Sequence, residues 1–153
     1  MFCLTLHNIE EALWMTGWLD KAMPDKRGPR RKEHFIFAVI GITILGYLTA
    51  GLFILFPKSL CFEYAFIGFV GAMFVNAVVP HLLLSIRFRS YCPGTFTGCF
   101  LTIPFHLIIL SNAANSHMKV IEIIISTLAV GAVLLGAIPI FKGLAKKIFD
   151  GRK

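Results

Sequence analysis

Four long apolar runs set the pattern of this chain. Residues 35–56 carry no charge and, at about 1.5 Å per residue, reach roughly 33 Å, enough to cross the hydrocarbon core of a bilayer. Residues 64–86 and 93–111 are uncharged apart from their histidines, His81 and His106, and 120–141 holds a single acid, Glu122, near its start. The pattern predicts an all-α integral membrane bundle of four transmembrane helices.

A shorter segment of a different kind precedes these runs. Leu6-His7-Asn8-Ile9-Glu10-Glu11-Ala12-Leu13-Trp14 sets one imidazole and two carboxylates into an otherwise apolar stretch. On a helix His7 and Glu11 are i and i+4, and Glu10 is i+3 from His7, so the three side chains can converge. Trp14 and Trp18 continue that stripe, with Phe2, Leu6, Ile9, Leu13 and Thr16 on the far side. Residues 1–19 lack a basic leader and carry glutamates in their middle, so a signal peptide is not expected. The expectation is an N-terminal interfacial or re-entrant helix, then a basic linker over 20–33 whose turn signal is Asp25-Lys26-Arg27-Gly28-Pro29-Arg30.

Composition places the chain in the membrane class: 153 residues, 57% hydrophobic, 15% charged, with a mean hydropathy of +0.78. A single membrane domain over 1–153 is expected. The net charge of +7 does not point to nucleic acid, because the basic residues sit just outside the apolar runs. Thirteen of them lie in 21–32, at Arg87 and Arg89, and in the tail 142–153, against only Lys58 and Lys119 in the two alternate loops. That bias predicts a multi-pass cell-membrane protein with both termini cytoplasmic. Cys3, Cys61, Cys92 and Cys99 show no close metal-type pair, and this topology separates Cys61 from Cys92, so no structural disulfide is expected. There is no internal repeat and no glycine-rich phosphate loop.

The amino-terminal segment is a poor lipid-surface helix, since such helices normally carry lysine or arginine where this one has Glu10 and Glu11. Turned inward, its acids and His7 require a metal ion, a proton or polar partners, because unpaired buried charge is costly. The second span offers Asn76, Pro80 and His81: Pro80 should kink the helix and free the Asn76 carbonyl, with His81 roughly 9 Å above the cytoplasmic end. In the following hairpin Pro93 suits the first position of the third helix, and Gly94 with Gly98 permits close helix approach. Arg87, Arg89 and Tyr91 suit an anionic headgroup, although positive-inside topology alone accounts for the arginines. Pro104 predicts a second kink, and His106, about 20 Å from the cytoplasmic start of its helix, reads as a hydrogen-bonded packing histidine too deep to meet His7. Glu63, Asn112, Asn115, His117 and Glu122 fall near the outer ends, where hydration makes them ordinary.

Taken in order, His7-Asn8-Ile9-Glu10-Glu11, Asn76-Ala77 with His81, and Arg89, Tyr91 and Pro93-Gly94 resemble the HXXEE-domain family of small integral membrane proteins, over about residues 1–111. The resemblance implies that His7, Glu10, Glu11, Asn76, His81, Tyr91, Pro93 and Gly94 are the family's motif positions, and it brings no reaction with it. Members often carry an apolar stretch before the first motif, whereas six residues precede His7 here. Either that start is abbreviated or the first helix is less embedded than in its relatives.

These residues point to a metal-dependent membrane enzyme, a hydrolase or transferase, acting on a lipid or lipid-like substrate. His7, Glu11 and His81 would hold zinc or iron, with Glu10 as a supporting group or as a general base, and Asn76, Arg89 and Tyr91 in support. Pro80, Pro93 and Gly94 shape the backbone around them. Two other classes remain open: a proton- or cation-coupled transporter hinged at Pro80 and Pro104, and a structural or partner-binding protein whose polar cluster locks the first helix to the bundle. Membrane lipid is the expected partner, and the sequence leaves the oligomeric state open.

Overall fold

The computed structural model describes residues 1–24 and 31–151; the turn expected at 25–30 lies outside the described residues. Among them the chain is all-helical. Helix α1 is Phe2–Ala22, α2 Lys32–Leu55, α3 Leu60–Asn76 and α4 Leu83–Phe88, with a wide turn, Ala77–Leu82, between the last two. A short turn of helix, α5 Thr95–Thr97, and a second wide turn, Gly98–Thr102, lead into α6 Ile103–Ser116, and α7 is Val120–Asp150. Four stretches are long and apolar enough to cross a membrane: Lys32–Leu55, Leu60–Phe88, Thr95–Ser116 and Val120–Asp150.

The expected runs and the observed helices agree in number and order and differ at their ends. Helix α7 does not stop at residue 141 but continues to Asp150 through Pro139, so most of the expected tail is helical. Pro93 is not the first residue of the third span: Gly94 follows it in the left-handed region (φ 92°) and caps a helix that starts at Thr95. A residue so conformed cannot belong to a right-handed helix, and the turn is completed before the span begins. The break in the second span falls where Pro80 predicts it. Val79 is extended there (φ −125°, ψ 107°), and the Val79–Pro80 peptide is cis.

Packing follows from small residues and interdigitated apolar ones. Helix α7 lies along both α2 and α3. It comes so close to α3 that a Cβ added to Gly68 would stand 2.5 Å from the Ser126 carbonyl oxygen, which is the kind of approach small residues permit between apolar helices. One core cluster joins Leu4 of α1 to Phe69, Ala72 and Met73 of α3 and Leu134 of α7. Outward-facing side chains such as Ile54 and Ile140 stay exposed, the pattern expected of a bundle that spans a bilayer.

Helix α1 runs antiparallel to α2, with Asn8 donating to Thr43 Oγ1 at 2.7 Å, Thr5 paired with Tyr47 and Leu4 buried against the core. It is therefore inserted among the other helices. Phe2, Ile9 and Leu13 are exposed on its outer face, as their spacing predicts, but Thr16 is buried. Trp14 departs from the polar stripe: it is exposed, and only Trp18 packs inward, on Phe88, with its indole N–H donating to Ser90 Oγ. The Arg31 guanidinium donates to Asp150 at 2.7 Å, tying the start of α2 to the end of α7, so the basic clusters around α2, α4 and α7 share one end of the bundle.

Candidate metal centre

His7, Glu11 and His81 meet inside the bundle. The two imidazoles are each 1% exposed and stand edge to face, ring centres 4.8 Å apart. Glu11 Oε1 lies 2.5 Å from His81 Nε2 and 3.5 Å from His7 Nε2. The Asn76 side-chain amide completes the group, 3.3 Å from the Nε2 atom of each histidine. The four residues come from α1, the end of α3 and the wide turn. The broken helix turns His81 back toward Asn76, five residues earlier, a pairing that a continuous α-helix does not favour.

The partners of the outer nitrogens fix the chemistry of the inner ones. His81 Nδ1 is 2.7 Å from the Pro93 carbonyl, which can only accept, so Nδ1 carries a hydrogen. Thr97 donates its hydroxyl to Glu10 Oε2 at 2.6 Å and so accepts from His7 Nδ1 at 3.1 Å. In the neutral tautomers both Nε2 lone pairs then face the Glu11 carboxylate. At 2.5 Å the Glu11 oxygen and His81 Nε2 stand as in a charge-assisted hydrogen bond, with one proton between them; an ion held by both at about 2.1 Å would set them roughly 3.4 Å apart. The three donor atoms all lie within 4.8 Å of one another, wider than the roughly 4 Å that ligands around an ion at about 2.1 Å span, so an ion would draw them closer together. Two imidazoles and a carboxylate, each imidazole anchored through its far nitrogen, suit zinc or non-haem iron.

Glu10 faces elsewhere. Its carboxylate accepts from the Gly94 N–H at 2.7 Å, from the Thr97 N–H at 3.2 Å, from the Thr97 hydroxyl and from the Tyr91 hydroxyl. Every one of these is a donor, an arrangement that the ionised carboxylate satisfies fully. Tyr91 is 56% exposed, but local desolvation of its hydroxyl, reinforced by the Glu10 carboxylate it bonds, pushes the phenol up to about 12. The 91–97 segment is held down in turn: Cys92 N–H donates to Ser85 Oγ, which pairs with Thr95 Oγ1, which donates to the His81 carbonyl. Gly94 backs onto both imidazoles: a Cβ there would lie 2.7 Å from His81 and 3.0 Å from His7.

Of the residues singled out from sequence, the structure brings together His7, Glu11, His81 and Asn76, with Glu10, Tyr91, Pro93 and Gly94 around them. Arg89 is outside this set: it is exposed, with a left-handed backbone (φ 48°) at the end of α4. Thr97 is a site residue that sequence reasoning missed, marked only by its hydroxyl between Glu10 and His7. The expectation for His106 is corrected in one respect: it is 6% exposed with Nδ1 unpartnered, so it is packed but not hydrogen-bonded there.

On its inner side the group opens into a cavity of about 680 Å³, within the range that takes a small-molecule ligand. Asn8, Glu11, Asn76 and His81 form a polar patch on its wall. Most of the remaining surface is apolar, from α1, α2, α3 and α7, and Lys142 stands at the basic end.

Residues 1–109 match the model of a family described as "Protein of unknown function with HXXEE motif". The chain is also 40% identical over 148 residues to "Uncharacterized protein YrkK" of Bacillus subtilis (strain 168), covering 96% of this chain and 93% of that one. No solved structure matches it significantly.

Proposed function

Since the chain belongs to the HXXEE family, whose description assigns no activity, its chemistry must be read from the site, and we propose that it is a metal-dependent membrane enzyme acting on a lipid-like substrate at the cytoplasmic side of the bilayer. The observation that carries this reading is the joining of two features: the His7, Glu11 and His81 donors, and an apolar cavity onto which Glu11 and His81 open. A purely structural lock has no need of such a cavity beside its polar groups.

In this reading the Nε2 atoms of His7 and His81 and one oxygen of Glu11 hold zinc or iron. The bound ion supplies Lewis-acid chemistry for hydrolysis or group transfer, and iron adds redox chemistry on an acyl chain. His81 is held in register by the Pro93 carbonyl. Glu10 acts through Thr97, keeping the proton of His7 on Nδ1 and its other nitrogen turned inward; with its carboxylate already filled by donors, it is a positioning residue and not a proton-abstracting base. Asn76 orients the two inner nitrogens, and the apolar walls exclude water and align the substrate. The alternation of basic residues supports the cytoplasmic placement of this end and of both termini.

The test is turnover in liposomes. Protein loaded with zinc or with iron is incubated with a mixed lipid extract, and products are followed by mass spectrometry. Metal-dependent loss of a lipid species that Glu11→Gln abolishes supports the enzyme. Proton or cation flux that needs Glu11 but no metal overturns it in favour of a transporter.

A further inference from the structure

The cavity has polarity along its length. Among the described residues that line it, Lys142 is the one permanent cation and Glu11 the one acid. Lys142 is exposed, its ammonium 5.9 Å from the centre of the Phe35 ring, and no carboxylate pairs with it among the described residues. The lining of α7 runs from Thr127 to Lys142, a rise of about 22 Å and longer than the roughly 15 Å that the chains of one leaflet occupy. Because Asn8 of α1 pairs with Thr43 of α2, Leu19 falls near the Phe35 end, and Glu11 lies two turns, about 12 Å, deeper. The polar donors therefore flank the middle of the cavity, and the free cation stands at its mouth.

We infer that this cavity binds a single-chain amphiphile with an anionic headgroup, carboxylate or phosphate, the headgroup on Lys142 and the chain running past His81 and Glu11 toward Thr127. Size suits one chain: a cavity of about 680 Å³ lies within the range that holds a single small ligand. Charge favours an anion, since an exposed lysine over an aromatic ring keeps its stem on apolar surface and its charge free for a headgroup. The inference rests on the proposed function in taking the cavity as the substrate site. It adds that the atom presented to the donors lies along the chain, about 12 Å from the headgroup.

The experiment is binding without turnover. Full-length protein in phosphatidylcholine nanodiscs, stripped of metal with chelator, is equilibrated with palmitate, lysophosphatidate or monopalmitoylglycerol, and the retained chain is counted by native mass spectrometry. One anionic chain per protein is expected, with the neutral glyceride held about ten-fold more weakly. Lys142→Gln should lose about ten-fold in retention, while Lys142→Arg and the solvated control Lys147→Gln should not. Preference for palmitate or for lysophosphatidate identifies the headgroup, and either outcome supports the inference. Equal retention of the neutral glyceride, an unchanged Lys142→Gln, or no retained chain at all overturns it. Wild-type protein that retains the chain but takes up no metal overturns the proposed enzyme alone, and metal uptake without chain retention overturns this inference alone.

Discussion

His81 Nε2 stands 2.5 Å from Glu11 Oε1, between a helix that enters the bundle from the amino-terminal end and the break in the second span. Neither the short spacing nor the burial of the imidazole is stable unless something positive is shared between the two atoms. Removing one partner leaves the other buried and uncompensated. Glu11→Ala and His81→Ala should each destabilise the protein by about 3–5 kcal/mol if the pair is held by a proton, measured as a fall in thermal midpoint in detergent. With the ion bound, the wild type should also gain thermal stability with metal concentration, which the two variants should not.

Gly94 is predicted to be intolerant of any side chain. Its φ of 92° is disfavoured for every L residue, and a Cβ there would press on both imidazoles. Gly94→Ala should cost about 1–3 kcal/mol in stability and lower metal affinity as well. Unchanged metal binding would show that the backbone at Gly94 does not set the position of the histidines.

Thr97 links Glu10 to His7, so its hydroxyl and not its bulk should matter. Thr97→Val is expected to keep helix content by circular dichroism but to lose about 10-fold in metal affinity, with Thr97→Ser recovering most of the loss. A valine variant with wild-type affinity would mean that His7 is oriented by packing alone.

Tyr91 supplies the pH prediction. Its phenol titrates near 12, above the ordinary value of about 10, so its contribution to stability is fully present below about pH 10 and is lost as pH rises from there through 12. Ultraviolet titration should show a late phenolate step that is absent from Tyr91→Phe. If that variant leaves the late step in place, the phenol does not bear on Glu10 as described.

The bundle was legible because uninterrupted apolar length is a strong signal and basic residues mark the ends. What the residue pattern did not carry was local backbone geometry. Hydrophobicity alone could not extend α7 past Lys142, since its amphipathic end reads as a tail until Asp150 is seen bonded to Arg31. Nor could it separate Pro93 from the helix start, because Gly94 turns the chain between them. The convergence of His7, Glu11 and His81 was readable from helical spacing and the depth of His81, and so was Asn76 as a neighbour. Thr97 was not, since a threonine one turn into an apolar span looks like ordinary filler until its hydroxyl is found between a carboxylate and an imidazole.

The most direct measurement is the metal content of the protein, purified from detergent after equilibration with zinc and with iron, by elemental analysis of wild type, His7→Ala and His81→Ala. One ion per chain in the wild type and none in either variant is the predicted result. A wild type that binds no more metal than the two variants would contradict the account, and the meeting of these three side chains would then be a lock and not a metal centre.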